Sequence, residues 1–112
     1  RRANKWPKKY RRELVAVHDN LDTFLGALNR GATPEQAKFG FVHPEPCGVL
    51  AIDQKGGGPS LKETRLYTYP NTTTQLLHLI TLGDKNSQRD DIKRASEFVG
   101  RLKKQKEEDR NG

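Results

Sequence analysis

Apolar residues repeat with a helical period towards the two ends of this chain and with a strand period in its middle, and that switch constrains the order of elements more than any other feature. Leu14, Val17, Leu21, Phe24, Leu25 and Leu28 fall at spacings of three, four and seven, one stripe of a helix that Pro7 can open and Gly31 closes. Thr33-Pro34-Glu35-Gln36 then sets an N-cap before a proline at the first helical position and an acid near the positive helix end. A short second helix to about Phe39, ended by Gly40, is the expectation. Further on, Ile92, Ala95, Val99 and Leu102 share one face of a last helix, after a capping-box-like start at Ser87 and Asp90.

In the middle, Pro44 and Pro46 rule out regular helix over Val42–Gly48 and disfavour a central strand, leaving an extended loop that leads into a first strand, Val49–Ile52. Gly56-Gly57-Gly58-Pro59-Ser60 reads as a mobile connection. Lys62–Tyr69 and Gln75–Leu82 read as two more strands of an antiparallel hairpin turning around Pro70-Asn71. Strands and helices do not alternate, which argues against a doubly wound parallel sheet. The pattern predicts an α+β sandwich of two layers: a small antiparallel sheet of three to four strands, with two N-terminal helices and one C-terminal helix packed on one side.

A chain of 112 residues supports one domain with a modest core. That domain is placed at residues 13–102, between a basic arm at 1–12 and a charged, fraying tail at 103–112. The net charge of +7 is carried by Arg1, Arg2, Lys5, Lys8, Lys9, Arg11 and Arg12, which all precede the first acid, Glu13; the remainder is balanced. An arm of that kind either binds a polyanion, nucleic acid above all, or is a solvated tail that aids solubility. The single cysteine, Cys47, permits no internal disulfide and points to a cytoplasmic chain. No membrane span and no signal-peptide pattern is expected.

Candidate chemistry sits on the strands. Alternation puts Arg65, Tyr67 and Tyr69 on one face, where a guanidinium can brace phosphate while phenol rings stack on unpaired bases; ordinary cross-strand aromatic packing explains the same pattern. His78 shares a face with Leu76, Ile80 and Leu82, and is either a general acid–base group or a structural histidine. His18 and His43 are more weakly placed. No cluster at ligand spacing suggests a metal, and no small-molecule cofactor is implied. From Gly83 to Arg89, Lys85, Gln88 and Arg89 gather where a strand edge meets a helix N-terminus, able to hold phosphate or simply solvated and paired with Asp84 and Asp90.

Taken together, Lys62-Glu63-Thr64-Arg65-Leu66-Tyr67, Leu77-His78-Leu79-Ile80-Thr81-Leu82-Gly83-Asp84-Lys85 and the Ser87-Gln88 helix start resemble the RelE/HigB-like toxins of type II toxin–antitoxin modules, over roughly Tyr10 to Leu102. The resemblance implies a RelE-like fold with a concave basic surface, and an mRNA interferase that enters the ribosome and cuts mRNA without a metal, the ribose 2′-hydroxyl attacking the adjacent phosphate. It implies an antitoxin as partner. It makes Arg65 the stabiliser of charge at the scissile phosphate and Lys85 a residue that holds phosphate or assists proton transfer, with Tyr67, Gln88 and Arg89 stacking on or orienting the substrate. Lys62, Tyr69, Lys8, Lys9, Arg11 and Arg12 would supply further nucleic-acid contacts. Many relatives use a C-terminal tyrosine or histidine as acid or base. This chain has neither after Leu102, so His78 or Tyr67 would have to substitute. Two other classes compete: a non-catalytic RNA- or DNA-binding module, and a protein-interaction domain that accepts a partner strand at its sheet edge.

Overall fold

The computed structural model describes the backbone of residues 11–37, 39–54 and 64–111, and their side chains except those of 11–14, 16, 85 and 108–111. The apolar stripe near the start forms helix α1, Arg11–Asn29, which turns Val17, Leu21 and Phe24 inward and leaves Val15 exposed. It stops at Gly31, whose φ of 100° only glycine adopts cheaply; Ala32 N–H donates to Ala27 O (3.1 Å) and Gly31 N–H to Leu28 O (3.0 Å).

The expected second helix is a single turn. Its box forms, Gln36 N–H donating to Thr33 Oγ1 and Thr33 N–H to Gln36 Oε1, and Ala37 N–H reaches Thr33 O. Phe39 N–H then bonds back to Ala37 O, which breaks the helical ladder. The reason lies in packing: Phe39 and Phe41 stack at 5.2 Å, half-buried against the core that α1 shares, and seating both rings there pulls the chain out of the helical path.

Four strands follow: β1 (Val42–Pro44), β2 (Leu50–Asp53), β3 (Thr64–Asn71) and β4 (Leu76–Asp84). They form one antiparallel sheet in that order. Val42–Pro44, expected as loop, is thus an edge strand, kept short because Pro44 has no N–H to give. The turn between β3 and β4 lies after Asn71 rather than on it; the Asn71 carboxamide oxygen accepts from Thr73 and Thr74 N–H, with Gln75 at a φ of 59°.

Simple alternation fails in β4. Tyr67 pairs with Thr81 and Thr68 with Leu79, so Ile80 is an extra, bulged residue. The bulge moves Leu82 to the face of Leu77 and Leu79, and leaves Ile80 and Thr81 with His78.

Helix α2, Gln88–Asn111, covers the face opposite α1. Val17, Leu21 and Phe24 of α1 pack on Val42, Ile52, Leu66, Leu77, Leu79 and Leu82; Ala95 and Val99 of α2 pack on Val49, Ala51 and Tyr67. The expectation of helices on one side of a two-layer sandwich is therefore corrected to three layers. Each central strand carries apolar residues on both faces, such as Ile52 and Ala51 or Leu66 and Tyr67, and both faces need cover. The tail expected to fray is helical through Asn111, being rich in Lys, Gln and Glu. Among the described residues no helix is long and apolar enough to cross a membrane.

Candidate functional site

The pleat of β2 and β3 sends Asp53, Arg65 and Tyr67 to the α2 face at one end of the sheet, where Asp53 and Arg65 are register partners. His43, across from Ala51, comes to the same face from β1. Asp53 uses its two oxygens on two neighbours: Oδ2 lies 2.6 Å from His43 Nε2, and Oδ1 lies 3.0 Å from Arg65 Nε. With Asp53 ionised, Nε2–H donates to it and Nδ1 keeps the lone pair. The Arg65 contact is close enough for an ion pair, yet the N–H does not point along it, and buried Oδ1 lacks a directed hydrogen bond. Glu45 reaches Arg65 Nη1 from the other side at 4.0 Å.

The scaffold pins Asp53 from three directions. Its N–H donates to Phe41 O, its carbonyl accepts from the carboxamide of buried Asn20 on α1, and the next residue, Gln54, bonds through N–H to Thr64 O. His43 is the most open member, with its side chain 37% exposed, against 28% for Arg65 and 13% for Glu45. A half-open imidazole held by a carboxylate beside a guanidinium can move protons and brace an anion.

Beneath this cluster lies Tyr67, fully buried. Its hydroxyl has no hydrogen-bond partner among the described residues; Arg65 is near enough to lower its pKa but aims no N–H at the oxygen with bonding geometry. Burial chiefly, then the charge of Asp91, pushes the phenol up to about 12. Tyr67 is thus a neutral phenol at physiological pH, and its ring is closed to a nucleotide base. Asp91, only 4% exposed on α2, is also pushed above the ordinary carboxylate value by burial, against the 2.7 Å hydrogen bond that Ser87 Oγ donates to it. Gly83 makes room for this pair: a Cβ there would stand 1.7 Å from Asp91 Oδ2 and 2.4 Å from Ser87 Oγ.

Of the residues singled out in the sequence, Arg65 and Tyr67 meet here and His78 does not. His78 faces α2 further along the sheet, between Tyr69 (6.3 Å) and Phe98 (5.6 Å), and Tyr69 lies four strand residues, ~13 Å, from Arg65. Gln88 and Arg89 open α2, Arg89 being exposed. Lys85 begins the 3-10 turn before α2, its side chain outside those described; Ser87 closes a capping box with Asp84, rather than with Asp90. Lys62, Lys8 and Lys9 lie outside the described residues, as do the side chains of Arg11 and Arg12. The sequence reading missed Asp53 and Glu45 and discounted His43. Asp53 had a visible signal, since continuing the alternation of Val49 and Ala51 by one step puts an acid on their face; the strand register then sets it beside Arg65.

No family model, curated protein or solved structure matches the chain.

Proposed function

We propose that this chain is a ribosome-dependent mRNA endonuclease, the toxin of a type II toxin–antitoxin pair, acting in the cytoplasm and held inactive by an antitoxin. The observation that supports the reading is the meeting of His43, Asp53 and Arg65 at the open end of the sheet. It supplies, from within the strands, the acid–base group that the C-terminal segment lacks. In the proposed reaction His43 Nδ1 takes the proton of the ribose 2′-hydroxyl as that oxygen bonds to phosphorus. Asp53 fixes the imidazole and stabilises the imidazolium. Arg65 lies against the phosphate oxygens as charge builds. The bond from phosphorus to the 5′-oxygen breaks, that oxygen takes a proton from Lys85, and the products are a 2′,3′-cyclic phosphate and a 5′-hydroxyl.

The test is in vitro translation with the purified protein, following mRNA length by primer extension, for wild type, His43→Gln, Arg65→Ala and Lys85→Ala. Cleavage that needs ribosomes and drops at least about 100-fold in His43→Gln is the expected result. Intact mRNA with folded wild-type protein defeats the nuclease reading. A non-catalytic RNA- or DNA-binding module would then be the better account.

A further inference from the structure

Arg65 is held unequally. Its Nε edge sits 3.0 Å from Asp53, while its Nη1 edge faces Glu45 across 4.0 Å, beyond hydrogen-bonding distance. Glu45 cannot easily close that gap, because it stands between Pro44 and Pro46 with an extended backbone, its N–H already given to Val49 O at 2.8 Å. Two carboxylates therefore address one guanidinium, one at close range and one from a distance. The more distant is mostly buried, so its charge acts through a medium that screens poorly.

We infer that the Nη1 edge of Arg65 is an anion seat for a phosphate group, and that Glu45 is a resident competitor which the phosphate must displace. The inference rests on reading Arg65 as the phosphate-binding residue of the proposed nuclease. A phosphate oxygen at hydrogen-bond distance from Nη1 makes the directed bond that Glu45 does not make. Asp53 stays in place on the Nε side and keeps the guanidinium plane set, which makes it the positioning residue of the pair. Glu45 thus lowers affinity for phosphate in general and leaves discrimination to the rest of the RNA, since a lone phosphate brings no other contacts with which to offset the displaced carboxylate.

Phosphate binding is measured by titrating inorganic phosphate into the full chain and following backbone amide shifts around residue 65 by heteronuclear NMR, a readout that every variant retains, with the Arg65 Nε–Hε signal as a second probe where the arginine is present. Glu45→Gln is expected to bind roughly tenfold more tightly than wild type, as removal of one like charge near the seat requires. That gain is lost when Arg65→Gln is added. Glu45→Ala gives the same direction by removing the carboxylate altogether, and the backbone amide spectrum of each variant reports its folding. Unchanged or weaker phosphate binding in folded Glu45→Gln overturns the inference. A gain that survives Arg65→Gln also overturns it, because the effect is then one of net charge alone. Because the probe is inorganic phosphate, a tighter Glu45→Gln protein that cuts no mRNA leaves the anion seat standing and removes only the nuclease reading.

Discussion

Gly83 carries a steric demand that no other residue type meets. Any Cβ at this position runs into Asp91 Oδ2 and Ser87 Oγ, side-chain ends that burial of Asp91 and the hydrogen bond between them hold in place, so Gly83→Ala must expel the buried carboxylate or move α2. A loss of about 3 kcal/mol in urea unfolding is the expected outcome. Asp91 carries a pH signature as well. Burial raises its folded pKa above the unfolded value of 3.8, so the folded protein binds the proton more tightly and stability falls as pH rises through that window. Asp91→Asn removes this slope. The variant's stability relative to wild type should therefore increase as pH climbs from below 3.8 towards neutrality, a trend that denaturant titrations at a series of pH values would read. Tyr67→Phe deletes a buried hydroxyl with no described partner and is expected to leave stability unchanged or raise it by about 1 kcal/mol in thermal unfolding.

The elements differ in how plainly the chain announces them. The stripes of α1 and α2 and the alternation of β3 depend on local spacing, and each was legible. The single turn at Thr33 was not: its box is intact, and only the packing of Phe39 and Phe41 shows why the helix goes no further. The bulge at Ile80 was hidden for a similar reason, since β3 alone reveals that one β4 residue is unpaired. His43 was discounted because Pro44 and Pro46 read as loop signals, although an edge strand tolerates proline well. In α2 the segment beyond Leu102 is tied to the sheet by one described side-chain hydrogen bond, from Lys106 Nζ to exposed Thr73 Oγ1 at 3.4 Å. Truncating the chain after Leu102 should therefore cost less than about 1 kcal/mol, measured by urea unfolding, despite the regular helix that is lost.

At the scale of the whole molecule, the excess charge and the candidate site belong to different parts of the chain. The net +7 originates before Glu13, while around Arg65 the carboxylates of Asp53 and Glu45 outnumber the guanidinium. Affinity for RNA and chemistry on RNA are then separable properties. Deleting residues 1–10 removes five cations, and the log–log dependence of RNA binding on salt should become shallower by up to roughly 4 if all five touch phosphate, while the His43 to Asp53 contact is untouched. The three layers bear on how the protein is made. Strands β1 to β4 precede α2 in the chain, so on the ribosome Val49, Ala51 and Tyr67 have no apolar cover until Ala95 and Val99 have emerged. A nascent chain stalled before that point would present a bare sheet face, the surface a chaperone would hold until synthesis resumed.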